Sequence, residues 1–195
     1  MLTTHPIRRR ASAALGGLTV FLAATTAAAL ARGADESQTV DAGGLTFQAP
    51  AAWKSTPPES TMRRAQLEIK PVKGDDDPAK LVVFAFPGGA GSVDANVERW
   101  QKLFRDKDGN PPKAETKTVK GKNVEATRVE LSGHYFPSNF PGQKKEPDHE
   151  NYRLIGGIVV TDDSSFFLRL VGPEKTVTAA KADFDALLGS LKTGK

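Results

Sequence analysis

Tyr152-Arg153-Leu154-Ile155-Gly156-Gly157-Ile158-Val159-Val160 and Phe166-Phe167-Leu168-Arg169-Leu170-Val171 stand on either side of a short polar stretch containing Asp162-Asp163-Ser164. Two runs rich in β-branched and aromatic residues, joined by acidic turn residues, specify a β-hairpin. Working outward, Leu81-Val82-Val83-Phe84-Ala85-Phe86 is apolar throughout, as expected of a strand buried on both faces. Ala65, Leu67 and Ile69 alternate with Arg64, Gln66, Glu68 and Lys70, the period-2 pattern of a strand with one wet face. A second hairpin, Thr116–Val119 and Val124–Leu131, flanks Lys120-Gly121-Lys122-Asn123. In its second strand Val124 and Ala126 share one side and Val129 and Leu131 the other, so a bulge is expected near Thr127-Arg128.

Helical spacing occurs twice. Val93, Val97, Trp100 and Phe104 recur at four, three and four, behind Ser92 as N-cap. A closing helix starts at Pro173-Glu174 and carries Val177, Ala180, Phe184, Leu187, Leu188 and Leu191 on one face. Short turns between strands imply an antiparallel sheet, and the two helices can cover it. The fold class is therefore α+β, a central antiparallel sheet of about six strands flanked by helices.

The first 31 residues have the pattern of an export signal. Arg8-Arg9-Arg10 precedes an uncharged run that closes on Ala29-Leu30-Ala31. Strongly apolar residues are sparse in that run, which argues for cleavage over retention as an anchor. The expected location is periplasmic or extracellular, by the Sec route. Arg9-Arg10 also permits the twin-arginine route, although Ala11, Ser12 and Ala13 follow where a bulky apolar pair belongs. No cysteine is present for a lipid anchor. Residues 32–43 read as a flexible leader and 44–195 as a single domain.

Charge and composition remove whole classes of function. The chain has 27 Lys plus Arg against 23 Asp plus Glu; three of the basic residues and none of the acids lie in the signal, which leaves 24 against 23. A near-neutral domain lacks the cationic footprint that binds nucleic acid. The absence of cysteine excludes thiol catalysis, cysteine-ligated zinc and iron–sulfur clusters. No cofactor motif is present, and no membrane contact is expected after signal cleavage.

The order of elements resembles the PsbP-like superfamily, named after an extrinsic subunit of photosystem II. The resemblance is carried by Leu45-Thr46-Phe47-Gln48-Ala49-Pro50 with Trp53 at the start. At the end it is carried by Phe166-Phe167-Leu168-Arg169-Leu170 and the helix Val177 to Leu191. It implies an α/β/α sandwich and an accessory or binding role, with no catalytic residue.

Three candidate sites remain. The long connection from Pro137 to Asn151 is of a length that tends to be functional. His134, Glu146, Asp148 and His149 around it form a ligand set for a divalent ion, although three consecutive loop residues diverge in direction. Tyr135, Phe136 and Phe140, with Gly88, Gly89 and Gly91 of the turn Pro87–Ser92, form a candidate surface for an unknown protein or small ligand. The glycine turn lacks a P-loop pattern and carries Asp94 where a phosphate would be repelled. Asp75-Asp76-Asp77 lacks the ligand spacing of a calcium loop. The reading is an exported, non-enzymatic accessory or binding domain. The alternatives are a metal-dependent or hydrolytic enzyme built on the His134/His149 acidic loop, and a structural component of a cell-envelope assembly. Export should yield a mature chain whose N-terminal residue is Arg32, checked by intact mass of the secreted protein; recovery of the full-length chain only would overturn the cleavage reading.

Overall fold

The computed structural model of the protein describes residues 1–2, 36–138 and 146–194. The expected signal peptide (beyond Met1 and Leu2) and Phe140 lie outside the described residues. The fold is that of the second of two units, Ala34–Lys195. Its elements are β1 (Ser37–Asp41), β2 (Leu45–Pro50), β3 (Lys54–Ser55), β4 (Arg63–Ile69), β5 (Ala79–Pro87), α1 (Val93–Gln101), β6 (Phe104–Arg105) and β7 (Glu115–Lys120). There follow β8 (Glu125–Tyr135), β9 (His149–Val160), β10 (Ser164–Pro173), α2 (Glu174–Ala179), α3 (Lys181–Ser190) and β11 (Lys192–Thr193). The main sheet has eight antiparallel strands in the order β3-β4-β5-β10-β9-β8-β6, with β7 also paired to β8; a smaller sheet runs β1-β2-β11. Both expected hairpins are present, with Phe166 opposite Val159 and Thr118 opposite Thr127.

Several expectations are corrected. The main sheet is larger than six strands because β3 and β6 have two residues each and carry no readable periodicity. Part of the expected leader forms β1, whose residues pair from Ser37–Pro50 to Asp41–Thr46. This strand is polar and alternates only between exposed and half-buried, so backbone pairing and the Gln38 amide, which donates to the Pro50 and Trp53 carbonyls, hold it. The first helix stops at Gln101, and Phe104 enters β6 opposite Tyr135. The closing helix is divided at Ala180 into α2 and α3. The irregularity in β8 falls between Gly133 and Tyr135. Thr127–Gly133 pair regularly with β9, because both sides of β8 are covered: Ala126 faces one core, Val129 and Leu131 the other.

Two cores sandwich the main sheet. On one face Leu67, Leu81, Ile155, Leu168 and Leu170 pack with Phe47 of β2 and with Val177, Phe184, Leu187 and Leu188 of α2 and α3. On the other, Val129, Leu131, Leu154, Ile158 and Phe167 pack with Trp100 and with Phe104. Trp53 belongs to the first core and Trp100 to the second. Between the cores lies Gly156-Gly157 of β9. A Cβ on Gly156 would overlap the Trp100 ring; one on Gly157 would stand 2.6 Å from Leu188 Cδ2. Successive strand residues face opposite sides, so this dipeptide lets α1 and α3 approach the same strand from opposite sides.

The α2/α3 side also holds an ion network. Glu130 of β8 accepts hydrogen bonds from Arg128 (2.8 Å) and Arg153 (2.5 Å), and Lys181 of α3 lies 2.9 Å away. Arg128 also donates to Asp185 of α3 and Arg153 to Glu174 of α2, each at 2.5 Å. Both helices are thus tied to β8 and β9 through side chains that are largely out of water: Arg128 is 4% and Glu130 8% exposed. Burial alone raises the Glu130 pKa. The hydrogen bonds and charges of Lys181 and Arg128 outweigh burial and hold it below the usual carboxylate range.

Gly156→Val should destabilise the fold by about 1–3 kcal/mol through overpacking against Trp100, read as a lower denaturant midpoint with an unchanged slope. Glu130→Ala leaves buried Arg128 short of a partner and should cost about 3–5 kcal/mol. A lowered folded-state pKa gives stability that is complete above the unfolded carboxyl's pKa, about 4.3, and lost as pH falls through the folded value. Glu130→Gln should therefore flatten the loss of stability below that pH, measured by urea unfolding at pH 3–7; an unchanged acid limb would remove Glu130 from the account.

Candidate functional site

The end of the β8–β9 pair carries most of the residues singled out in the sequence. Gly133 has φ of 144° and a Cβ there would strike the Arg105 carbonyl, so the bulge at this point requires glycine. Beyond it, Tyr135 pairs with His149. Phe104, Tyr135, Tyr152 and His149 form a continuous stack with ring centroids 5.0, 6.0 and 4.4 Å apart. Burial and the Asp77 charge hold the Tyr152 phenol well above its usual pKa, and its hydroxyl donates to Asp77 at 3.3 Å. Burial also raises the Tyr135 phenol.

His134 lies in a different stack. Its ring sits 4.4 Å from that of Phe136, Arg105 covers Phe136 at 5.7 Å, and His134 Nε2 stands 2.7 Å from Asp148 Oδ2. The hydrogen bond with His134 holds the exposed Asp148 carboxyl below its usual range. The two imidazoles are therefore engaged separately, one with an acid and one with a tyrosine. Among the described residues no group of three or more His, Asp or Glu is placed to hold a metal ion. Phe136 is 39% exposed, whereas Tyr135 is buried.

The glycine turn is closed by its own residues. Gly88, Gly89 and Gly91 have φ of 78°, 91° and 87°, the left-handed region that side chains avoid. Ser92 Oγ accepts from Ala95 N–H, and the buried Asn96 amide donates to the Ala90 and Ser92 carbonyls at 3.0 and 2.8 Å. Gly88 N–H donates to the Asp163 carbonyl of the neighbouring hairpin turn. This arrangement secures a strand-to-helix reversal. The three aspartates disperse: Asp75 accepts from the Thr176 N–H and hydroxyl at the start of α2, while Asp77 meets Tyr152.

One group that sequence reasoning passed over is Arg169. It lies on β10 opposite Val82 and Gly156, on the α1 side of the sheet. Its guanidinium covers the Phe84 ring at 5.3 Å, and its Nε is buried without a hydrogen-bond partner. Arg169 takes part in no ion pair or hydrogen bond found among the described residues. Burial pulls its pKa below the usual arginine value. The Arg63 charge acts in the same sense, and Tyr135 and Glu146 act against it. The guanidinium remains charged at neutral pH. A cation–π contact returns about 0.5–2 kcal/mol, whereas burying an ion costs several. The sequence signal was present: a single cation inside the apolar run Phe166–Val171.

Among the described residues no helix is long and apolar enough to cross a membrane. No protein-family model matches the chain, and no curated protein matches it in sequence. Similar solved structures include the solution structure of cyanobacterial PsbP from Synechocystis, at 12% identity and a TM-score of 0.48, covering 84% of this chain and 96% of that one. A crystal structure from Bacteroides thetaiotaomicron has 14% identity and a TM-score of 0.46, covering 82% of this chain and 48% of the other. The chain thus spans about half the length of the Bacteroides protein.

Proposed function

We propose that the protein is an exported, non-enzymatic binding or accessory domain that meets its partner at the β8–β9 end of the main sheet. The observation that carries this reading is Phe136, an exposed aromatic ring stacked on His134, which pairs with Asp148, and in contact with the Arg105 guanidinium. A ring held by two neighbours loses little side-chain freedom on contact, which favours its use as an anchor. Among the described residues of the domain the other large exposed apolar side chains are Met62, in the turn before β4, and Val160, at the end of β9, a separation that does not favour an assembly built on one broad apolar face. The export signal, Arg8–Ala31, would place the partner outside the cytoplasm.

A metal-dependent reading is kept alive by one contact, the imidazole–carboxylate pair His134–Asp148. Thermal unfolding of residues 32–195 after chelation, with Zn²⁺, Mn²⁺ and Ca²⁺ added back, separates the two readings. A binding domain shows no shift with any ion, whereas a zinc shift lost in His134→Ala and His149→Ala would revive the enzyme. For the binding reading, a photo-crosslinking phenylalanine analogue at position 136 should give a discrete adduct in the exporting cell. The same analogue at position 160 should give none, and identical products at both positions would remove Phe136 as the contact.

A further inference from the structure

The domain has two groups of buried or half-buried cations, and they are treated differently. On the α2/α3 side Arg128 and Arg153 meet Glu130, Asp185 and Glu174. On the α1 side Arg63 meets Glu59 and the Gln66 side-chain oxygen at 2.7 Å each. Among the described residues Arg128 Nη2, Arg153 Nε and Arg169 Nε are all buried without an acceptor, but Arg128 and Arg153 are ion-paired through their other nitrogens, whereas Arg169 makes no ion pair or hydrogen bond and rests on an aromatic ring. A buried polar group without a partner asks for the ion, water or ligand that completes it. Arginine's planar fork matches the two oxygens of a carboxylate or phosphate.

The surroundings specify more than an ion. Phe84 and Phe86 lie nearly parallel with centroids 6.5 Å apart, and Phe86 meets the buried Phe167 at 5.4 Å and a 56° tilt, which places aromatic rings beside the guanidinium. Phe84, Phe86 and Arg169 each keep part of their surface exposed, so the rings and the cation are reachable together. The Glu146 charge favours the guanidinium from the loop side, while Arg63 adds positive charge on another. An unpartnered guanidinium donor beside aromatic rings suits a small molecule with an oxyanion at one end and an apolar body at the other.

We propose that Arg169 is the anion-binding centre of a small-molecule site on the α1 side of the sheet, taking a carboxylate or phosphate group while the ligand's apolar body lies on Phe84 and Phe86. This deepens the binding-domain reading and rests on it. The Phe136 cross-link and the Arg169 site are tested by separate readouts, so either can fail alone.

The test uses benzoate as the probe, with benzamide as its uncharged counterpart at matched ionic strength, on the mature chain. Benzoate should raise the unfolding temperature by about 3 °C or more at ten times its dissociation constant; benzamide should not. Arg169→Met should abolish the benzoate shift. In the absence of benzoate it should be as stable as the parent or more so, because it removes a buried charge without stranding a partner. A domain that ignores benzoate overturns the proposal, as does an equal response to benzamide or an equal response of Arg169→Met. A large loss of stability in Arg169→Met also overturns it, because it would show the guanidinium to be a structural tie.

Discussion

The close approach of two helices to one strand is the constraint on which this fold depends. Trp100 from α1 and Leu188 from α3 press on Gly156 and Gly157 of β9 from opposite faces. Neighbouring strand residues face opposite ways, so only a pair of adjacent glycines admits both contacts at one point. The consequences spread from there. With Trp100 seated, Phe167 packs against its edge at 6.1 Å, and the chain leaving α1 is positioned to form β6 against the far end of β8. With Leu188 seated, α3 lies against the sheet and also receives Phe47 from the smaller sheet.

The sheet's two faces then divide the charge. The α2/α3 face uses charge for construction: Glu130 sits among Arg128, Arg153 and Lys181, and Asp185 and Glu174 pair with the two arginines from the helices. Such a network repays desolvation only when each ion finds partners, and here the partners come from two strands and two helices. The α1 face uses aromatic rings instead. Phe104, Tyr135, Tyr152 and His149 form one chain of ring contacts, and Phe84, Phe86, Phe167 and Trp100 another. Into this aromatic face β10 inserts Arg169, whose guanidinium lies over Phe84.

The loop-flanking residues show how a ligand inventory differs from a site. His134, Asp148 and His149 are close along the chain and lie on paired strands or at their ends. The irregularity at Gly133 sends Tyr135 against His149 and leaves His134 to Phe136 and Asp148. Two imidazoles that share a segment therefore end in separate stacks. The glycine turn follows the same logic: Ser92 and Asn96 spend their hydrogen bonds on closing it.

Patterns that repeat within a few residues were legible before folding. The hairpin strands β9 and β10, the buried β5, the Ser92 cap and the apolar face of the final helical region all follow from periodicity and capping chemistry. The α+β class follows from their order. Only tertiary structure decided the strandhood of Ser37–Asp41, the break at Ala180, the position of the bulge and the meaning of Gly156-Gly157. It also decided which acids met which bases and that Arg169 makes no ion pair found among the described residues. The physical reason is range: periodicity and caps act over one turn or one strand, whereas a ladder partner, a counter-ion or a ring pressed on a glycine arrives from residues tens of positions away.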